Sequence, residues 1–188
     1  MQQEVLEDII AASKTKNLTA FRQLVDHFQP YAFAIALRVL CDEEDAKDVT
    51  QESFVRVWRH LKKYDSRAKF STWLYKIVTN LCFDCLKNKA RQKRIMRNDL
   101  GAASTIAGET DLEQQTINSN LTDVVRKLID DLTPQQRIVF VLRDFEDLEI
   151  SEVATILNIS PGSVKSNLYH ARKQIRENLV AMEKIKGA

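Results

Sequence analysis

Residues 148–175 read LEISEVATILNISPGSVKSNLYHARKQI, and this stretch decides the fold. Its first half sets Ile150, Val153, Ala154, Ile156 and Leu157 at helical spacing. Asn158 then stands where a helix can end, because asparagine tolerates the left-handed backbone found past a helix C-terminus. Ser160 can cap a following helix, and Pro161 suits its first turn. Val164, Leu168, Ala171 and Ile175 form the apolar stripe of that second helix. Two helices joined by so short a turn, with small Ala154 at the expected crossing, make a helix-turn-helix. The opposite face of the second helix carries Ser163, Lys165, Ser166, Asn167, Tyr169, His170, Arg172 and Lys173. Each can donate a hydrogen bond, and no acid occurs between Ser160 and Ile175. A major groove offers acceptors and phosphates, so this face suits duplex DNA, whereas a merely solvated face would mix acids with bases.

Outward from this motif, the 188 residues are rich in helix formers, with only four glycines and three prolines, and lack alternating β-branched runs. An all-α fold follows. Charge is uneven. Residues 1–97 are net +6, residues 98–123 carry five acids and no base, and residues 124–188 are net +1. Two helical domains, 1–97 and 121–188, are therefore expected on either side of a flexible acidic linker at 98–120. No apolar run reaches the length of a membrane span, and the acidic start lacks the features of a signal peptide, so a cytoplasmic protein without membrane insertion is expected. Three cysteines make a poor disulfide framework. Cys82 and Cys85 form a CxxC inside a helical stretch with no second pair and no nearby histidine, which favours two buried small hydrophobes over redox or zinc chemistry.

In the first domain Phe21, Leu24, Val25 and Phe28 share one face of a helix expected to end at Pro30. A second run, Tyr31 to Leu40, is apolar nearly all round. Asp42 and Asp45 signal the start of a helix reaching about Leu61, with Ala46, Val49, Phe54, Val57 and Trp58 on its buried side. A polar loop, 62–69, precedes a helix expected to be capped by Ser71, with Phe70 as the staple residue. Trp73, Leu74, Ile77, Leu81 and Cys85 form its buried stripe, leaving Thr72, Lys76, Thr79, Asn80, Phe83 and Lys87 outward. From Lys87 to Arg97 six of eleven residues are basic and none is acidic. In the last domain Leu121 to Leu132 reads as a helix, and Thr133, Pro134 and Gln136 signal the next start.

Taken together, these segments resemble the extracytoplasmic-function branch of the sigma-70 superfamily, from about Thr19 to Leu179. The resemblance rests on Asp45-Ala46-Lys47-Asp48-Val49-Thr50-Gln51-Glu52-Ser53-Phe54-Val55-Arg56-Val57-Trp58, on Phe70-Ser71-Thr72-Trp73-Leu74, on Asn80 with Asp84, on Leu132-Thr133-Pro134-Gln135-Gln136-Arg137, and on the helix-turn-helix. It implies a non-enzymatic protein that needs no cofactor or metal and partners core RNA polymerase and promoter DNA. The Asp45–Trp58 helix resembles the segment that docks on the polymerase clamp, with Asp48, Gln51, Glu52 and Val55 outward: an apolar residue with a polar rim. The helix from Ser71 and the loop before it resemble the segments that read the minus-ten element and its melted non-template strand. There a flipped base occupies a pocket by the loop, since its edge is hidden in the duplex. Lys76, Thr79, Asn80, Phe83, Asp84 and Lys87 are the residues implied, an exposed Phe with amides and bases suiting single strands. Lys89, Arg91, Lys93 and Arg94 would contact phosphates.

The last domain resembles the module that reads the minus-thirty-five element as duplex, and Ser163, Lys165, Ser166, Asn167, Tyr169, His170 and Lys173 are its candidates. Asn167 and His170 occupy positions that are often Arg in relatives, so base preference should differ. Glu149 replaces a common Ser or Thr cap, and Asp147 a frequent Gly. Relatives are commonly held inactive by an anti-sigma factor, and one is expected here. A dimeric repressor or response regulator would explain residues 121–188 but neither the Asp45–Trp58 nor the Ser71–Asp84 segment. An enzyme would need a catalytic constellation, and none is visible: His27, His60 and His170 are scattered.

Overall fold

The computed structural model describes residues 3–99 and 118–186, and within them every side chain except those of residues 93, 96–99, 118–123 and 184–186. The described residues are helical, without strands. Helices α1 (Gln3–Lys14), α2 (Leu18–Leu40), α3 (Glu43–His60) and α4 (Phe70–Asp99) make the first domain, and α5 (Asn118–Ile129), α6 (Pro134–Phe140), α7 (Ile150–Leu157) and α8 (Pro161–Lys186) the second. Most of the linker expected at 98–120 lies outside the described residues.

Local hydrogen bonds set most helix boundaries. Asn17 accepts from the Ala20 amide at 3.1 Å, Asp42 from the Asp45 amide at 3.0 Å, and Ser160 from the Ser163 amide at 3.1 Å. Thr133 and Gln136 exchange reciprocal bonds in a capping box. At the turn of the helix-turn-helix Asn158 takes the left-handed conformation, with φ of 53°. Glu149, an unusual residue at a helix start, serves because its amide donates to the Glu152 carboxylate at 3.1 Å. Asp147 is also left-handed, with φ of 50°, which explains why glycine suits this position.

Two expectations are corrected. α2 does not end at Pro30 but runs through it to Leu40. The missing amide bond costs the helix about 3 kcal/mol, but Leu24, Phe28, Ala32, Ile35 and Ala36 are buried on both sides of the proline and hold the axis together. Ser71 is not the cap of α4: Phe70 is already helical, and the Trp73 amide donates to the Lys69 carbonyl at 3.2 Å. Burial of Phe70 against Phe28 and Trp73 starts the helix two residues earlier than a Ser71 cap would. A single π-helical turn, Val141–Phe145, follows α6 and was not foreshadowed by the hydrophobic spacing.

The two domains share a core. Leu24, Ile35, Leu74 and Val78 from the first belong to one buried cluster with Ile138, Val139, Leu142 and Ile156 from the second. At its edge Arg137, only 5% exposed, donates to the Ile129 carbonyl at 2.7 Å and across the domains to the Val39 carbonyl at 3.3 Å. Arg126 donates to the carbonyl of Cys41, the left-handed residue that ends α2. These guanidiniums occupy the carbonyl end of α2, where the helix leaves acceptors without intrahelical partners.

Candidate nucleic-acid interface

Helix α8 is held by its apolar stripe, with Val164 and Ala171 buried completely and Leu168 nearly so. Lys165, Ser166, Tyr169, His170 and Lys173 are exposed on the other side. Tyr169 is 65% exposed and meets His170 edge-on at 5.4 Å between ring centroids. Ser163 and Asn167 are half-buried, and the Asn167 amide donates to the Ser163 carbonyl at 2.8 Å, so Asn167 is turned back onto its own helix. Arg172, set among the candidate residues, donates to both oxygens of Asp144 at 2.9 and 2.5 Å. The acid-free sequence of α8 therefore acquires a carboxylate from the π turn, a long-range pairing without a local signal.

Helix α4 divides less simply. Lys76, Asn80, Asp84 and Lys87 are exposed, as expected. Thr79 is not: it is 1% exposed, and its hydroxyl donates to the Tyr75 carbonyl at 2.8 Å. The helix is covered on two sides, by α2 and α3 and by the second domain, which widens its buried stripe. Phe83 is half-buried against the core, with the Lys87 ammonium 5.0 Å from its ring centre. Lys89 is not a free cation: it pairs with Asp45 and, at 3.4 Å, with Asp42. Burial opposes its charge, but these carboxylates outweigh burial and raise its pKa. Arg91 and Arg94 are exposed, and the side chain of Lys93 lies outside the described residues. A groove of about 950 Å³ brings Phe83, Lys87, Arg91 and Arg94 opposite Thr133 and Gln135 of the second domain.

The loop before α4 is tightly stapled. Tyr64 is 7% exposed, packs edge-on against Phe70 at 5.5 Å, and donates its hydroxyl to the Ala68 carbonyl at 2.6 Å. Asp65 accepts from the Arg67 amide at 3.0 Å and its guanidinium at 2.5 Å, and these bonds, the amide first, hold its carboxyl below the ordinary range. Beside the loop lies a cavity of about 560 Å³ whose walls include Glu7, Lys14, Arg67, Lys69 and Ser71. The contribution of α1 to this cavity was missed, because nothing in its spacing points across 50 residues to the loop.

On α3, Asp48, Gln51 and Val55 are exposed and Glu52 is half-exposed, paired with Arg56 at 2.9 Å. Gln51 and Val55 line a mainly apolar groove of about 620 Å³ between α2 and α3, with Leu18, Phe21, Val25 and Trp58. Leu18 is 71% exposed. Leu18 and Phe21 extend this groove beyond the α3 residues legible by spacing.

Cys41, Cys82 and Cys85 are free thiols, the first two buried. Burial pushes the Cys82 thiol far up, as it does less strongly for Cys85. Among the described residues no group of histidine, cysteine and carboxylate side chains could hold a metal ion.

Comparison with known proteins decides the family. The sigma-70 region 2 model matches residues 24–92 and the sigma-70, region 4 model residues 122–175, in the same order as the two domains. The chain belongs to the extracytoplasmic-function branch of the sigma-70 family. It is an alternative sigma factor, directing transcription initiation, with a DNA-binding region 4. This sigma factor is 29% identical over 166 residues to the ECF RNA polymerase sigma factor SigW of Bacillus subtilis, covering 85% of this chain and 89% of the relative. It is 28% identical over 187 residues to the RNA polymerase sigma-H factor of Pseudomonas aeruginosa, covering 95% and 96%. Among solved structures, CnrH in complex with the cytosolic domain of CnrY superposes with a TM-score of 0.67 at 24% identity, over 94% of this chain and 98% of that one. RpoE in complex with the anti-sigma factor NepR from Bartonella quintana gives 0.62 at 20% identity, over 86% and 98%. The sigma factor thus shares their fold. No helix among its described residues is long and apolar enough to cross a membrane.

Proposed function

We propose that the sigma factor divides its task among three surfaces, acts in the cytoplasm and has no catalytic activity of its own. The outward side of α3 (Asp48, Gln51, Glu52, Val55), with the apolar groove beside it, docks on core RNA polymerase: a small apolar centre gives affinity and the charged rim gives register. Helix α4 and the loop before it take the minus-ten element as a melted strand. Phe83 with Lys87 offers a stacking edge beside a cation, Asn80 offers both donor and acceptor, and Arg91 and Arg94 meet phosphates. Thr79 and Lys89 support this helix from within, one through its backbone and the other through Asp45.

Helix α8 lies in the major groove of the minus-thirty-five element. Lys165, Ser166, Tyr169 and His170 face base edges and phosphates, while the Asp144 carboxylate holds Arg172 in one orientation. Ser163 and Asn167 shape the helix start. An anti-sigma factor covering these faces would silence the protein. The complexes of CnrH with CnrY and of RpoE with NepR support such a partner.

The observation that carries this reading is the exposed, donor-rich face of α8, mounted by a helix-turn-helix behind a domain with its own basic and aromatic face. In vitro transcription from randomised promoters, with core polymerase and with or without the protein, tests it. Protein-dependent transcripts sharing two spaced upstream elements are expected. Tight, specific binding of promoter duplex by the protein alone, without added initiation, would instead identify a repressor.

A further inference from the structure

Helix α1 lies outside both matched segments, which begin at residue 24 and residue 122. It nevertheless walls the cavity beside the loop, with Glu7 and Lys14 facing Arg67, Lys69 and Ser71. Residues 65–69 are all exposed, so the loop has little buried surface of its own to fix its shape. Within it Asp65 binds Arg67, and Lys69 reaches Glu152 at 3.5 Å, while its entry is set at Tyr64, which packs on Phe70 and is held from α1 by Lys14. The Lys14 ammonium donates to the Tyr64 carbonyl at 2.9 Å and sits 5.2 Å from the centre of its ring. From the far end of that ring the hydroxyl closes the loop on Ala68. Tyr64 therefore links the entry of the loop to its exit through a rigid aromatic side chain, and Lys14 bears on that link from α1.

We propose that Lys14 is a positioning residue for minus-ten recognition: from α1 it holds the 64–69 loop in the shape that keeps the adjoining cavity open to an unstacked base. This deepens the minus-ten reading above and rests on it. An unstacked base gains selectivity from edge contacts only if their geometry is held in advance, and a loop free to sample other shapes loses part of that gain.

A purely structural role for α1 predicts something different, and the structure supplies the control. Lys16, two residues on, donates to the Trp58 carbonyl at 2.7 Å and lies 4.1 Å from the Trp58 ring. It ties the turn after α1 to the end of α3, and among the described residues it makes no bond to the loop. The experiment uses full-length protein in holoenzyme and a promoter recovered from the randomised pool, with single substitutions through the minus-ten element. Open-complex formation is followed by 2-aminopurine fluorescence.

Lys14→Met should narrow the rate ratio between the preferred and substituted promoters about fivefold, since only part of a charge-assisted hydrogen bond worth more than about tenfold reaches the discrimination between promoters. Tyr64→Phe, which removes a single oxygen, should narrow it similarly and decides the matter if Lys14→Met folds poorly. Lys14→Arg should restore most of the ratio, and Lys16→Met should keep the wild-type value. Wild-type selectivity in a folded Lys14→Met, wild-type selectivity in Tyr64→Phe, or an equal loss in Lys16→Met would overturn the proposal. A wild-type holoenzyme that fails to initiate would overturn the minus-ten reading itself, which is a separate result.

Discussion

Replacing Arg137 by methionine isolates the contribution of the buried guanidinium, because the apolar stem is kept and only the donors are lost. Two backbone carbonyls, of Ile129 and Val39, then lose a charged donor that is only 5% exposed, and the exposed Asp130 carboxylate loses a partner at 3.4 Å. Hydrogen bonds to charged groups contribute about 1.5–3 kcal/mol each, and an orphaned buried acceptor costs about 1–3 kcal/mol. Against this, the variant no longer has to bury a charge, and the Nε of Arg137 is a buried donor without a partner even in the native protein. The balance is a destabilisation of roughly 2–4 kcal/mol. For a chain of this size that lowers Tm by roughly 4–16 °C. Differential scanning calorimetry of the purified protein measures it directly. A Tm within about 1 °C of wild type would mean that water or a rearranged donor replaces the guanidinium, and the account of the α2 carbonyl end would be wrong.

Other perturbations follow the same logic. Val55→Asp places a charge at an exposed centre, so stability should stay within about 0.5 kcal/mol while core polymerase affinity, read by fluorescence anisotropy, falls at least about tenfold. Tyr169→Ala should relax discrimination at the minus-thirty-five element by about 1–3 kcal/mol without lowering Tm; unchanged discrimination in a duplex competition assay would remove Tyr169 from the reading face. Arg91→Gln should reduce the salt slope of holoenzyme binding by up to about one unit, and an unchanged slope would show that no phosphate is met there. Asp42→Ala should cost about 1 kcal/mol at neutral pH through loss of the cap. The folded Asp42 carboxyl lies below its ordinary 3.8, chiefly through the Asp45 amide and further through Lys89. Its contribution is therefore present above that value and lost as pH falls through the lower folded one. Acid titration of both proteins should converge, and a gap persisting below both values would contradict the capping account.

How much was legible from residues depended on the range of the interactions. Asp42, Thr133, Asn158 and Ser160 announced their boundaries because each bonds a backbone group within five positions along the chain. The outward faces of α3 and α8 were legible because each has a well-defined apolar stripe. Thr79 and Pro30 were misread for opposite reasons. A helix covered from two directions buries more than one stripe, and a proline can remain mid-helix when tertiary packing holds both halves. The pairing of Arg172 with Asp144, the capture of Lys89 by Asp45, and the reach of Lys14 to Tyr64 join residues 28 to 50 positions apart. Side-chain periodicity contains no information about such partners.

The core shared by the two domains couples their thermodynamics. If Val39 and Cys41 keep their guanidinium partners until the chain unfolds, neither domain melts without exposing apolar surface and carbonyls of the other. Heating should then give one cooperative transition rather than two. A ligand that binds only the closed arrangement would raise the unfolding temperature of both domains together, even if it touches one. DNA bound to α8 alone would protect amides in α2 from hydrogen exchange only while the two domains stay docked.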